Sequence, residues 1–164
     1  MKKYLTILII VSLVGCNSQK ATISNQSISQ KEFLENPFGF EENIENFEHI
    51  SKPKFSTQKL LRRNKHYSEK TDTIYQFSYK KSEIFFYKTH TGKEFLLAGK
   101  ILNKQISLKN NISVGISKND FTSRFNDKLN FNADSLQMIG EGTKYTFLFQ
   151  KGRLYRINID NYFD

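Results

Sequence analysis

Apolar and polar positions alternate most regularly near the C-terminus. Tyr145, Phe147 and Phe149 are separated by Thr146 and Leu148, the polar residues Lys151-Gly152-Arg153 follow, and Leu154-Tyr155-Arg156-Ile157-Asn158-Ile159 resumes the apolar pattern. Side chains two apart share a strand face, so this stretch predicts a half-buried hairpin. Leu154 and Ile157 lie an odd number of residues apart and share a face only across a bulge, for which the Gly152 turn is the expected place. The same pattern runs earlier without a gap. Tyr75, Phe77, Tyr79, Lys81, Ile84 and Phe85 precede Tyr145, Phe147, Phe149, Lys151, Leu154 and Tyr155 by 70 positions, which predicts an internal repeat.

Helical periodicity precedes each copy. Ser29 and Glu32 have capping-box spacing before Phe33-Leu34, and Asn36-Pro37 closes that turn. Phe40, Ile44 and Phe47 form an i, i+4, i+7 stripe that ends near Ile50, with Glu41, Glu42, Glu45 and Glu48 expected to face water. In the second copy Ser117 and Asp120 predict a reciprocal cap. Ile116 and Phe121 form a staple across it, and Phe121, Phe125 and Leu129 extend the stripe. Strand patterns cover residues 73–80, 83–89, 94–103 and 135–139, with turns at His90-Thr91-Gly92 and Gly140-Glu141-Gly142. The expected fold is α+β: two tandem units, 31–108 and 109–164, each a helix followed by an antiparallel meander, with one continuous sheet as an option.

The first thirty residues read differently. Lys2-Lys3, an apolar run too short for a mature membrane span, and Leu13-Val14-Gly15-Cys16 form an export signal. That ending resembles the bacterial lipobox. The resemblance implies a signal peptide at 1–15, removed ahead of a lipidated Cys16, with acyl chains such as palmitate gaining about 0.8 kcal/mol per buried CH₂. Residues 16–30, rich in Ser, Asn, Gln and Thr, are expected to be a flexible tether. Asn17 is not the Asp that resembles an inner-membrane retention signal. The expected address is therefore the outer membrane of a bacterial envelope, on its periplasmic side.

Composition narrows the chemistry. Cys16 is the only cysteine, so the folded part contains no disulfide, thiol nucleophile or cysteine metal site. The three histidines, His49, His66 and His90, form no close ligand pair, no Gly-x-Ser-x-Gly elbow occurs, and there is no Gly-rich phosphate loop. No cofactor, metal or catalytic residue is expected. Fifteen Phe and eight Tyr with no Trp favour pleated, packed surfaces. The formal charge is +9, and +7 without Lys2 and Lys3. Residues 31–48 hold one Lys and six Glu, whereas residues 52–104 hold thirteen Lys or Arg and four acids. The densest part is Lys59, Arg62, Arg63, Lys65, His66 and Tyr67. Either it is a solvated basic loop, or it faces anions through paired hydrogen bonds.

Gly115, Ser117, Lys118 and Phe121 opening a helix, then Tyr145, Phe147, Phe149, Gly152 and Leu154 in a meander, resemble the small helix-plus-sheet lipoproteins of bacterial envelopes. Duplication of the unit resembles the β-lactamase inhibitor protein architecture, and a single unit resembles the small outer-membrane assembly lipoproteins. The resemblance spans about residues 38–162 and implies a non-enzymatic protein that binds another protein through a sheet face or loops. The inhibitor family's disulfides are impossible here. Candidate binding residues, taken from the charge run and the aromatic strands, are Arg62, Arg63, Lys65, His66, Tyr79, Tyr145, Tyr155 and Arg156. The expected partners are the membrane through Cys16, an envelope protein, and anionic head groups, with no nucleic acid. The competing classes are an immunity or inhibitor lipoprotein that neutralises a toxin or hydrolase, and an envelope hydrolase.

Replacing Cys16 by Ser should move the protein from the membrane to the soluble fraction of lysed cells. Retention in membranes after a high-salt wash, read by immunoblot, would count against lipid anchoring.

Overall fold

A computed structural model describes residues 27–161, so the leader, Cys16 and most of the tether lie outside the described residues. The chain runs α1 (Gln30–Glu35), α2 (Ile44–His49), β1 (Ser56–Arg63), β2 (Thr71–Tyr79), β3 (Ser82–Lys88) and β4 (Glu94–Ile101). A small hairpin, β5 (Ser107–Leu108) and β6 (Ile112–Ser113), precedes α3 (Lys118–Thr122), β7 (Ser135–Ile139), β8 (Thr143–Gln150) and β9 (Arg153–Asn161). The unit boundary expected at 108/109 thus falls inside a hairpin. Among the described residues no helix is long and apolar enough to cross a membrane.

The helices are shorter than their apolar stripes. Ser29 caps α1 by accepting the Glu32 amide at 3.0 Å. α2 starts at Ile44 and not near Phe40, because the Asn43 side chain accepts the Asn46 amide at 2.8 Å and the Asn46 side chain donates to the Glu41 carbonyl at 3.0 Å. Ser117 caps α3 through the Asp120 amide at 3.0 Å, and its hydroxyl donates to the Asp120 carboxylate at 2.7 Å. After Thr122 the backbone turns to other partners: Ile28 N–H donates to the Arg124 carbonyl at 3.0 Å and Asn126 N–H to the Ile28 carbonyl at 3.1 Å. Phe121, Phe125 and Leu129 are all buried, but an irregular chain carries the last two. Ile28 is itself buried and Gln30 opens α1, so residues 28–30, expected to belong to the tether, are part of the folded body.

Seven strands form one antiparallel sheet in the order β1-β2-β3-β4-β9-β8-β7. Outward from the β4–β9 seam lie β3 and β2 on one side and β8 and β7 on the other. The fold is therefore α+β, with two helix-then-meander units joined in one continuous sheet. The tight turn between β2 and β3 has Lys80 at φ 54°, and that between β8 and β9 has Lys151 at φ 50° and Gly152 at φ 71°. The bulge that the Leu154/Ile157 parity requires is present at Tyr155, the residue skipped where the β8–β9 register shifts, and not in the Gly152 turn. It leaves Leu154, Ile157 and Ile159 on one buried face. The register shift between β3 and β4 skips Leu97 in the same way, so Leu96, Gly99 and Ile101 all face the core.

Helices cover one face of this sheet. Phe47 of α2 lies 4.7 Å from Phe86 and 5.6 Å from Phe77, ring centroid to centroid. Phe121 of α3 lies 4.9 Å from Phe147 and 5.3 Å from Phe149. Phe33 of α1 packs on the second unit, 5.6 Å from Tyr145 and 5.9 Å from Phe147, although α1 comes first in the chain. Such ring pairs contribute about 0.5–1.5 kcal/mol each beyond their area burial.

β1 is a strand where the sequence suggested a basic loop. Lys59-Leu60-Leu61-Arg62-Arg63 doubles its apolar and charged residues instead of alternating them, and all eight residues of β1 are exposed. Pairing with β2, from Ser56↔Ser78 to Arg63↔Thr71, makes it a strand.

At the seam Gly99 pairs with Ile159, and a Cβ on Gly99 would stand 2.9 Å from Ile159 Cδ1. Gly99→Ala should change stability by less than about 1 kcal/mol, since that terminal methyl can swing away and a strand glycine is itself unfavourable. Gly99→Val adds two more methyls against Ile159 and should cost about 1–3 kcal/mol in urea unfolding.

Candidate functional site

The face that, among the described residues, no helix covers carries a groove of about 520 Å³ between the β1–β2 hairpin and the β3–β4 strands. Its apolar side is Tyr87, Phe95 and Leu97, and its polar side is the cations Arg62 and Lys65 with the imidazole of His66. Tyr87 and Phe95 are cross-strand partners, and Leu97 is the residue skipped at the bulge.

A side-chain network sets the loop that bears the cations. The Asn64 carboxamide oxygen accepts the His66 and Tyr67 amides, each at 2.9 Å, an Asx-type turn. Its nitrogen donates to the Asp72 carboxylate at 2.7 Å. Asp72 is fully enclosed. It also accepts from the Tyr87 hydroxyl and, at 2.8 Å, from the His90 amide, while His90 Nδ1 lies 3.5 Å away. The Tyr87 hydrogen bond, with those of His90 and Asn64, holds the Asp72 carboxyl below its ordinary range against the opposing effect of burial. Asp72 in turn pushes the Tyr87 hydroxyl up, and the nearby Arg62 charge works the other way.

One histidine, His90, therefore meets a carboxylate at this corner, as a hydrolase would need, while His66 lines the groove beside it. Asp72 orients an imidazole, but among the described residues no serine or threonine hydroxyl is hydrogen-bonded to His66 or His90. No group of three or more metal-binding side chains gathers among the described residues either. Apolar contact beside cationic hydrogen-bond donors is the chemistry the groove offers.

Of the candidate binding residues, Arg62, Lys65 and His66 come together here. Arg63, next in the strand after Arg62, points to the opposite side of β1. Tyr79 lies on the helix-covered face, where its hydroxyl donates to Gln105 and its ring sits 6.3 Å from Phe55. Tyr145 is a correction: it is wholly buried in the core and presents nothing to a partner. Tyr155 is exposed at its bulge. Arg156 binds the Asn158 side chain at 2.7 Å, near the end of β4 away from Phe95. Sequence reasoning missed Asn64, Asp72, Phe95 and Leu97. Asn64 carried a signal, because Asn ahead of Lys65-His66-Tyr67 is turn chemistry.

Compared with known family models, curated proteins and solved structures, the chain matches none.

Glu42 is the second correction. It precedes α2, so helical phase does not turn it to water, and its carboxyl lies against the Tyr145 hydroxyl. Neither Glu42 Oε1 nor the Tyr145 hydroxyl completes a hydrogen bond of ordinary geometry. Burial pushes the Glu42 carboxyl up to about 7, with Tyr145 pulling it partly back, and burial together with Glu42 raises Tyr145 well above its usual value.

The folded state thus favours protonated Glu42. The stability this gives is complete below about pH 4.5 and is lost as pH rises through about 7. At roughly 1.4 kcal/mol per pH unit the loss is about 3 kcal/mol by pH 8. Glu42→Gln should flatten that slope in urea unfolding between pH 5 and 8. Asp72 acts with the opposite sign: its contribution is present above the ordinary aspartate range and disappears as pH falls through the depressed value. Asp72→Asn should remove that acid limb.

Proposed function

We propose that the protein is a lipid-anchored module of the bacterial envelope that works by binding and not by catalysis, with the groove as its docking surface for another envelope protein. The observation that carries this reading is the groove itself: Tyr87, Phe95 and Leu97 beside Arg62, Lys65 and His66, on the sheet face that no helix of the described residues covers. Tyrosine and arginine are favoured anchors at protein interfaces. The Asn64–Asp72 network supports it too, because it orders the loop before any partner arrives and lowers the entropic cost of docking. The lipobox-like leader supports the address. Neutralisation of a toxin or hydrolase is the same mode of action with a different partner.

A photo-crosslinking amino acid at position 66 in intact cells, followed by mass spectrometry, tests this. One envelope protein should dominate the captured material and be lost when Arg62 and Lys65 are both replaced by Glu, with the abundance of the module unchanged. An unchanged captured set, capture of lipid alone, or turnover of an envelope substrate by the purified protein would sink the reading.

A further inference from the structure

We infer that the outer edge of β1 is a docking edge that takes an extended, acidic segment of the partner protein as an eighth strand. This rests on the binding reading above and adds how the partner's backbone is held. β1 pairs with β2 along its whole length and borders the seven-stranded sheet, so among the described residues no strand pairs with the backbone donors and acceptors of its other side. Eight residues span about 27 Å at roughly 3.4 Å each, the length of an ordinary strand partner. The two edges of the sheet are not equivalent. β7 has five residues and lies beside α1, where Leu34 Cβ is 3.6 Å from the place a Gly140 Cβ would occupy. No residue of β1 is buried, and Leu60 and Leu61, on opposite faces of the strand, are 48% and 78% exposed. An added strand would flank both leucines.

Charge decides the occupant. β1 carries Lys59, Arg62 and Arg63 and no acid, with Lys65 just beyond its end. None of these four takes part in an ion pair among the described residues. The nearest strand carboxylate, Asp72, is enclosed in its own network. A second copy on this edge would set six cations along one ladder, where like charges are unfavourable. The same cations that turn away a copy attract a strand bearing Glu or Asp. Arg62 belongs to both features, so a strand laid along β1 brings its side chains to the mouth of the groove.

The test uses the full chain and a fluorescein-labelled ten-residue peptide of alternating Glu and Val. Two further versions carry N-methyl groups on the odd or on the even backbone amides, and a fourth has Lys in place of Glu. Fluorescence anisotropy should show binding of the plain peptide and none of the Lys version. Only one edge of an added strand faces β1, so one methylation pattern should weaken binding at least tenfold while the other changes it less than threefold. Replacing Arg62 and Arg63 by Glu should weaken binding at least tenfold with the unfolding midpoint unchanged. No binding of the Glu peptide, an equal response to both methylation patterns, or dimerisation in sedimentation that excess peptide fails to reverse would overturn the inference. If the peptide fails while capture at position 66 still depends on Arg62 and Lys65, the edge is wrong and the groove stands. Edge binding with capture indifferent to those residues would reject the groove alone.

Discussion

The pairing of β4 with β9 turns two small meanders into one sheet. Four residue pairs, Ala98↔Asp160 to Ile101↔Ile157, form the seam, and Gly99 lets Ile159 come close at its centre. Separately, each half would be a sheet of three or four strands with a hydrophobic face and an exposed inner edge. Joined, they bury that edge in each other, and the apolar residues of both last strands fall on one face only because each strand carries a bulge. An extra residue in the ladder at Leu97 and at Tyr155 is thus part of how the core closes.

The helices reinforce the joint in a crossed manner. α2 packs on the first meander and α1, earlier in the chain, packs on the second, so residues 36–43 run from one half to the other. Glu42 lies on that crossing, against Tyr145 of β8. An ionisable group is thereby placed in the packing between halves, where charging it works against the aromatic contacts around it.

Much of this architecture was legible from periodicity. Residues 135–139 match β7 in full, and the odd spacing of Leu154 and Ile157 demanded the bulge that Tyr155 supplies. The misses share a physical cause: tertiary partners overrode the local pattern. β1 shows no alternation because neither of its faces is buried. α3 stops early because Ile28 takes the backbone groups a longer helix would use. Glu42 defeated a helical-phase argument because residue 42 is not in the helix. Within the site Arg62, Lys65 and His66 stand out as a run. Asp72, Tyr87 and Phe95 are joined to that run only by strand pairing, which a linear reading does not contain.

The two borders of the sheet differ in a way that bears on reach. Ile28, near the start of the described chain, pairs with Phe125 on the flank where α1 lies along β7, whereas β1 is at the opposite border. Six inter-strand spacings separate those borders, about 29 Å at roughly 4.8 Å each. The width of the sheet therefore separates β1 from the place where the described chain begins, so whatever meets that border does so across the full breadth of the sheet from Ile28.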